Sequence, residues 1–327
     1  MTRHIIEPLA EAAQRALRAP SAFNSQPWRW RVGAGTLDLY ADRGRQLPVT
    51  DPDGRLLTLA CGAALHHARV ALAAAGHEVE VRRFPEPADV DRVARLRVTG
   101  VHNPSAHDIA LDEAIPDRRT DRRAFGEQPV AAEVLERLRI AVEAEGAFLH
   151  VVRLDQMPML AVVTADAAAT EVVDPAYRDE VYRWTHRPPW AGDGVPPTVA
   201  VRQVPRRVML RDHALDGDAR LEPGRGNDRG AAYAVLFGPD DTPWSWLRAG
   251  EALSALLLTA VLEGLAAAPI SDAIELAWPR RLMRDLLAGV GEPYLVVRLG
   301  IPAESGELPS VPRRAPDDVI EFAEREE

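Results

Sequence analysis

Two glycine-bounded stretches decide the fold of this chain: GAALHHARVALAAAG at 62–76 and GEALSALLLTAVLEG at 250–264. They have the same length, and each is apolar between its glycines, which is typical of a buried helix that ends at a glycine. Each follows an amphipathic helical pattern and a strand pattern, and each precedes a strand that ends in glycine, RLRVTG or LVVRLG. The repetition predicts two related α+β halves in one chain.

The predicted halves are residues 1–110 and 115–327. Periodicity predicts helices over 5–17, 62–76, 134–142 and 250–264, and strands over 28–32, 37–40, 78–83, 94–99, 148–153 and 294–299. The second half is longer because of 154–245, which contains the run RPPWAGDGVPP. Such a segment indicates an insertion, and a lid or binding loop is one form that it can take. Core packing is the favoured role for Tyr182, Trp184 and Trp190 within it, with a place in the lid as the alternative.

Charge excludes several functions. The 327 residues include 39 cationic side chains, all of them arginine, and 49 acidic ones, for a net charge of −10. A chain without lysine cannot use a Schiff base or a P-loop lysine. The acidic total argues against a general nucleic-acid binder. Any phosphate held by cations must therefore be held by arginine, whose planar fork of donors suits it.

The remaining composition predicts a soluble cytoplasmic protein. The single cysteine, Cys61, lies in an apolar run and excludes an internal disulfide framework. No signal-peptide pattern opens the sequence, and the apolar run at 252–262 is too short for a membrane span. The histidines show no HExxH spacing and cysteine pairs are absent, so no metal site is expected.

Three segments contain the residues suited to binding chemistry. APSAFNSQPW at 19–28 is a turn with hydroxyl and amide side chains, although Ser and Asn also cap turns locally. RRTDRRAF at 118–125 concentrates arginines that suit a phosphate, or else form a solvated surface with Asp117 and Asp121. PRRAP at 312–316 adds two more arginines and can equally be an ordinary tail.

These segments resemble those of the FMN-dependent nitroreductase family. APSAFNSQPWRWRV is similar to its APSxxNxQPWRF segment, and DRRTDRRAFGEQPVAAEVLERL to its RRSxRxF opening. GLAAAPISD resembles its flavin-edge loop, and LPSVPRRAPDDVI its C-terminal arginine segment. The order of the motifs resembles the Acg-like subfamily, in which two such halves are fused. The resemblance implies a three-layer α+β fold that forms a pseudo-dimer within one chain.

The resemblance also implies one FMN per chain, between the halves. It assigns Arg118 and Arg119 to the phosphate, Thr120 to the ribityl chain or ring, and Arg122 to the pyrimidine edge. The remaining implied contacts are Pro20, Ser21 and Asn24 from the first half, Pro269, Ile270 and Ser271 at the reactive edge, and Arg313 and Arg314 as a phosphate clamp. The matching turn of the second half reads Glu145-Gly146-Ala147-Phe148, so a second site is not expected. No catalytic side chain is assigned, because the flavin carries the chemistry.

The implied function is an FMN-binding oxidoreductase. NAD(P)H would reduce the flavin, which would reduce a nitro compound, a quinone or another small acceptor. The alternative is a protein that sequesters flavin with little turnover. The choice between NADH and NADPH and the identity of the acceptor stay open. A fused pair has no internal need to dimerise, so a monomer is expected.

Overall fold

The computed structural model describes residues 3–214, 217–304 and 306–323 of the chain. The first half contains α1 (Arg3–Ala16), β1 (Trp28–Val32), β2 (Thr36–Ala41), α2 (Arg55–Ala74), β3 (His77–Arg83), β4 (Arg92–Val101) and α3 (Ala106–Asp117). The second contains α4 (Ala132–Ala144), β5 (Phe148–Val151), α5 (Met157–Val173), α6 (Pro175–Thr185), β6 (Ala232–Gly238), α7 (Pro243–Leu262), β7 (Ala266–Ile270), α8 (Asp272–Glu275), α9 (Ala277–Leu286), β8 (Glu292–Gly300) and β9 (Ile320–Phe322).

The predicted repetition is visible in the strand order of the two sheets. The first sheet has the order β3-β4-β2-β1-β9, and the second has the order β5-β6-β8-β7. When β1, β2, β3 and β4 are matched with β5, β6, β7 and β8, the two orders are the same. The remaining strand, β9, comes from the C-terminal segment and pairs in parallel with β1, where Ile320 lies opposite Trp30. The chain therefore closes the first sheet with a strand from its far end.

The two glycine-bounded helices cross at their glycines. Both α2 and α7 have 20 residues, and Gly62 and Gly250 stand at the same position in each. A Cβ atom on Gly62 would lie 1.9 Å from Leu247 O, and one on Gly250 would lie 1.9 Å from Leu59 O. No side chain fits at that distance, so glycine sets how closely the backbones approach. Both helices are apolar enough to cross a membrane, but they are mostly buried in the protein core.

The first sheet packs its tryptophans on the core as the alternation in β1 predicts. Trp28 and Trp30 are 0% and 1% exposed, while the arginines between and beyond them face outward. Cys61 is also buried, and burial raises the pKa of its thiol. It therefore packs as a small apolar side chain and has no nucleophilic character.

The structure departs from the sequence prediction in several places, and it adds elements that were not predicted, namely α3, α8, α9, β7 and β9. The helix expected over 62–76 begins earlier, at Arg55, and Gly62 lies inside it. The segment 154–245 contains two helices, α5 and α6, as well as strand β6, where only an irregular insertion was expected. Core packing is confirmed for Trp184 but wrong for Tyr182 and Trp190, whose side chains are largely exposed.

Candidate functional site

A cleft of about 850 Å³, including its open mouth, lies between the halves. Both long helices border it, α2 through Leu56, Leu59 and Ala60, and α7 through Leu253. Most of the residues assigned from sequence line it: Pro20, Ser21, Thr120, Arg122, Pro269, Ile270 and Ser271. The remaining ones, Asn24, Arg118, Arg119, Arg313 and Arg314, lie outside its wall.

The turn that brings Ser21 to the cleft is strained. Phe23, Asn24 and Gln26 have φ angles of 49°, 54° and 48°, in the left-handed region that side chains other than glycine rarely adopt. The Gln26 backbone N–H donates to Ser21 Oγ at 2.9 Å, which stabilises the turn from within. Ser21 thus caps the turn and also borders the cleft, while its contact with a cofactor stays a prediction.

Asn24 holds this turn to two other segments and does not face the cleft. Its Nδ2 donates to Gly194 O at 3.1 Å and to Pro312 O at 3.0 Å. Its Oδ1 accepts from Arg313 Nη1 at 2.6 Å. Strain clustered at one turn persists only where the surroundings hold it, and these bonds do so. The side chain assigned as a cofactor contact is thereby used to position Arg313.

Two arginines converge beside this turn. Arg118 Nη2 and Arg313 Nη2 both donate to Arg18 O, at 3.3 and 3.2 Å. Arg118 Nε and Nη1 and Arg313 Nε are buried, with no hydrogen-bond partner in the described ranges. Burial together with Arg119 lowers the pKa of Arg118 to about 10, and burial together with Arg118 lowers that of Arg313 to about 9. Both guanidinium groups stay charged at neutral pH, so their free donors suit an anion.

Arg119 and Arg314, the other arginines assigned to the phosphate, already donate hydrogen bonds to backbone carbonyl groups. Arg314 donates to Gln26 O at 3.3 Å and to Asp318 O at 3.0 Å. Arg119 donates to the carbonyl groups of Pro116 and Arg118. The sequence left open which residue of the 313–314 pair would hold a phosphate, and only Arg313 lies beside Arg118.

Arg122 lies at the cleft wall. Its Nη1 is 3.4 Å from Val199 O, its one hydrogen bond in the described chain. Burial and the nearby Arg211 lower the pKa of Arg122 to about 10, so the side chain is a cation at neutral pH. An electron-rich ring edge in the cleft would meet this positive charge.

The wall also contains residues that were not assigned from sequence. Arg211 and His213 border the cleft from the long segment before β6. Arg211 lies 4.9 Å from the centre of the Phe23 ring, and the His213 ring meets the same ring edge to face at 5.7 Å. The proline- and glycine-rich segment thus supplies part of the wall, while a lid role for 154–245 stays a prediction.

Arg298 holds the arginine segment in place. This side chain is fully buried on β8 and donates to Asp121 O at 2.9 Å and to Arg123 O at 2.8 Å. Its Nη1 lies 2.7 Å from Asp228 Oδ1, and its guanidinium stacks over the Phe125 ring at 3.9 Å. A signal for it exists in the sequence, because the arginine interrupts the apolar strand LVVRLG.

The comparisons with known proteins can be set against this geometry. No protein-family model matches the chain. It is 38% identical over 317 residues to "Putative NAD(P)H nitroreductase Rv3131" of Mycobacterium tuberculosis, covering 94% of this chain and 90% of that protein. It is 36% identical over 315 residues to "Putative NAD(P)H nitroreductase acg" of the same organism, covering 95% of each chain. The chain belongs to the nitroreductase family.

A distant similarity links this nitroreductase-family chain to a solved structure. The FMN and NADPH-dependent nitroreductase NfnB from Sphigopyxis sp. strain HMH is 19% identical, with a TM-score of 0.41, and the match covers 66% of this chain and 99% of that one. The family membership and the α+β fold with two related halves, both expected from sequence, are confirmed. The boundaries at 110 and 115 stay a prediction.

The other side of the helix crossing also borders a cavity, and its wall contains the charged side chains of Arg69, Arg83 and Glu145. Matching Gly62 with Gly250 places Arg83 at the position of Ser271, and Glu251 at the position of Ala63. Arg83 Nε and Arg69 Nη1 lie 2.7 and 2.8 Å from the fully buried Glu251. We call Arg69, Arg83, Glu145 and Glu251 the filled side, because paired charged side chains stand there.

Proposed function

We propose that this protein binds one FMN in the cleft between its halves and transfers electrons from NAD(P)H to a small-molecule acceptor, such as a nitro compound or a quinone. The observation that carries the proposal is the set of buried donors without a hydrogen-bond partner in the described residues on two neighbouring guanidinium groups, Nε and Nη1 of Arg118 and Nε of Arg313. Both groups donate to Arg18 O, and the residues two positions beyond Arg18 and Arg118, Pro20 and Thr120, border the cleft.

The residues present fit the cofactor. The cleft has a mostly apolar wall with a few polar groups, which is typical of small-molecule sites. Leu56, Leu59 and Leu253 offer an apolar surface to a flat ring. A phosphate monoester carries about −1.5 to −2 charges at neutral pH, which two arginines balance. Arg118 and Arg313 would hold the phosphate, and Arg122 would lie at the ring.

The chain's own residues supply position, charge and exclusion of water. Bound FMN would accept a hydride from NAD(P)H and pass its electrons to the acceptor. The positive charge of Arg122 would stabilise negative charge on a reduced ring. Leu210 and His213 would shield the same space from solvent, since both border the cleft. The loop Pro269–Ser271 would set how closely an acceptor approaches.

An absorption spectrum tests flavin binding directly. We expect the purified protein to be yellow, or to become yellow on addition of FMN, with one FMN retained per chain after gel filtration. A colourless protein that takes up no FMN would overturn the proposal. The same sample, mixed anaerobically with NADPH and separately with NADH, should lose its flavin absorbance, and the faster donor is the preferred one.

Sequestration of flavin is the second candidate. The wall residues Leu210, Arg211 and His213 favour it, because a flavin that they covered would dissociate slowly. Under this alternative the protein is yellow but neither NADH nor NADPH bleaches it. Bleaching within seconds, followed by reoxidation with a quinone, would instead support the oxidoreductase.

We also propose that the protein acts as a cytoplasmic monomer without nucleic-acid or membrane partners. The crossing of α2 and α7 supplies within one chain the packing that a homodimer would need. Light scattering at micromolar concentration should give the mass of one chain, 35.8 kDa. Twice that mass would refute the monomer without affecting the flavin proposal.

A further inference from the structure

Three buried carboxyl groups lie at or behind one wall of the cleft, around a single guanidinium group. Asp272 borders the cleft, and Glu275 lies at the other end of the short helix α8. Glu171 reaches the same place from α5. Arg211 is the cation at their centre, with its Nη2 lying 2.6 Å from Glu275 Oε2 and 3.3 Å from Glu171 Oε1. We call Glu171, Asp272 and Glu275 the carboxyl cluster.

The carboxyl cluster is almost completely shielded from water. The side chains of Glu171 and Glu275 are 4% and 2% exposed, and Asp272 is 2% exposed. Asp272 Oδ2 is buried and has no hydrogen-bond partner in the described chain, although its residue borders the cleft. Three buried carboxylates around one guanidinium group repel one another strongly. The arrangement therefore favours retention of a proton shared within the cluster.

The surroundings further favour a carboxyl cluster that holds a proton. Burial raises the pKa of Glu171 to about 8, although Arg211 opposes the rise, and burial raises the pKa of Glu275 as well. The other titratable or charged groups that face the cluster or the adjoining cavities are Tyr177, Asp51, Arg55, Arg122, His213 and Arg280.

The histidine at the cleft does not hold the proton. Burial lowers the pKa of His213 well below its ordinary value, and the adjacent Arg122 and Arg211 lower it further. Its ring is therefore neutral at pH 7, whereas the carboxyl cluster retains a proton there. The two kinds of titratable group at the cleft thus differ in proton occupancy at pH 7, which is typical of sites that transfer protons.

A path for protons leads from the cluster towards solvent. A small cavity of about 230 Å³ is bordered by Glu275 on one side and by Asp51 and Asp53 on the other. Asp53 is exposed. Burial raises the pKa of Asp51 to about 7, so this carboxyl exchanges protons near neutral pH. The cavity places an exchangeable carboxyl between the cluster and water.

We infer that the carboxyl cluster supplies the proton that accompanies reduction of an acceptor in the cleft. Asp272 is the group that faces the acceptor, and Glu171 and Glu275 are positioning residues that store the proton behind it. The inference rests on the proposed oxidoreductase function and names the proton source of that reaction.

The step balances for a quinone acceptor. A hydride equivalent from NAD(P)H supplies two electrons and one hydrogen to the quinone. That hydrogen forms the O–H bond of one quinone oxygen. The other oxygen becomes negative and takes a proton that the carboxyl cluster delivers through the Asp272 side chain, so that one carboxyl O–H bond of the cluster breaks and a second hydroquinone O–H bond forms. The cluster regains a proton from solvent.

Infrared titration of the flavin-free protein tests the proton store. We expect the C=O band of a protonated buried carboxyl at pH 7, which disappears as the pH rises through about 8. The band should weaken in Glu171→Gln and persist in Asp166→Asn, a matched control on the exposed face of the same helix. A spectrum without this band at pH 7 in the unmodified protein would overturn the inference.

Kinetics of the FMN-loaded protein test proton delivery. In Asp272→Asn, quinone reduction should slow by at least about tenfold and lose its decline at alkaline pH, because general acid catalysis contributes on this scale or more. Reduction of ferricyanide, which takes an electron without a proton, should keep its rate. Asp272→Glu should restore part of the quinone activity. Equal slowing with both acceptors would refute proton delivery.

The two levels of the proposal fail in different ways. If the protein takes up no FMN, the oxidoreductase function fails, and the infrared band shows only whether the cluster holds a proton. If FMN binds and NAD(P)H bleaches it, but Asp272→Asn leaves quinone reduction unchanged, the proton source lies elsewhere and only this inference fails.

Discussion

The repeat makes the two sides of the α2–α7 crossing equivalent in backbone topology, and they differ in how charge is arranged. On the filled side, two carboxylates, Glu145 and Glu251, lie against two guanidinium groups, Arg69 and Arg83. Each of these carboxylates has an ion pair shorter than 3 Å.

On the side of the cleft, which we call the open side, charges of each sign are left over and kept apart. Arg118 and Arg313 have free buried donors at one place, and the carboxyl cluster exceeds its cation at another. Small side chains replace the large ones, since Ala60 stands where the filled side has Arg248. Uncompensated buried charge is unfavourable for folding alone, so its presence on one side only indicates where a ligand contributes.

The largest effect should come from breaking the filled side. Glu251→Gln leaves Arg69 and Arg83 without their buried carboxylate, and removal of one partner of such a network costs about 3 kcal/mol or more. We expect the midpoint of urea unfolding to fall accordingly. Glu143→Gln, at an exposed pair on α4, should change stability by less than about 1 kcal/mol. Similar values for the two variants would show that the filled side does not depend on its ion pairs.

A slightly smaller loss is expected at the crossing itself. Gly62→Ala gains about 1 kcal/mol of helix propensity, but its Cβ would lie 1.9 Å from Leu247 O. The helices must separate, and the lost packing should outweigh that gain, for a net loss of about 2 kcal/mol. Ala73→Ser, which also adds one heavy atom to α2, should be nearly neutral because its site is partly exposed.

The double variant sharpens this test. Gly62→Ala and Gly250→Ala require the same separation of the helices, because each Cβ meets the backbone of the other helix. Their effects on the free energy of unfolding should therefore be less than additive. Strict additivity would show that each clash is relieved locally, without movement of the two helices apart.

The repeat was predictable from sequence because it depends on periodic apolar patterns and on paired glycines. Two of the elements that were missed, α3 and α6, had local signals as well. Ser105 and Asp108 form a capping box at the start of α3, and Asp174 caps α6 just before a proline. In contrast, α5 has no side-chain cap and little amphipathic contrast, so nothing in its sequence separates it from an irregular insertion.

The site was predictable only in part because motifs give residue types without giving directions. The sequence could not distinguish Arg313 from Arg314, which differ only in the side to which the extended chain turns them. It could not reveal Arg211 or His213, since their place at the cleft depends on the path of a long segment. Nor could it reveal the carboxyl cluster, whose members come from α5 and α8, more than a hundred positions apart.

The open side can be tested by replacing Arg313 and Arg314 in turn and comparing the effects on FMN binding. Arg313→Ala should weaken FMN binding by about 2 kcal/mol, or roughly thirtyfold in Kd, because it removes a charge-assisted contact. Arg314→Ala is the matched control, since its donors are directed to the Gln26 and Asp318 carbonyl groups. We expect FMN titration by fluorescence quenching to give nearly unchanged affinity for it. A larger loss in Arg314→Ala would reverse the assignment.

The smallest expected effect is a difference in the pH dependence of stability between the two sides. Burial alone would raise the pKa of Glu145, but His66 and Arg69 lower it below its ordinary value of 4.5. Its stabilisation is therefore present above that pH and is lost as the pH falls below it. The pKa of Glu171 is raised by burial to about 8, so the folded protein holds a proton that the unfolded chain releases near 4.5. Its stabilisation is lost as the pH rises from about 4.5 to 8.

Glu171→Gln should therefore reduce the fall in Tm between pH 6 and pH 8.5, and Glu145→Gln should reduce the fall below pH 4.5. We expect each change to be about 2 °C in a chain of this size, which scanning calorimetry resolves. Asp166→Asn on the exposed face of α5 should follow the unmodified protein at every pH. If both glutamine variants altered the same limb of the curve, the charge asymmetry between the filled side and the open side would not govern stability, because only opposite pKa shifts place the two losses at opposite ends of the pH range.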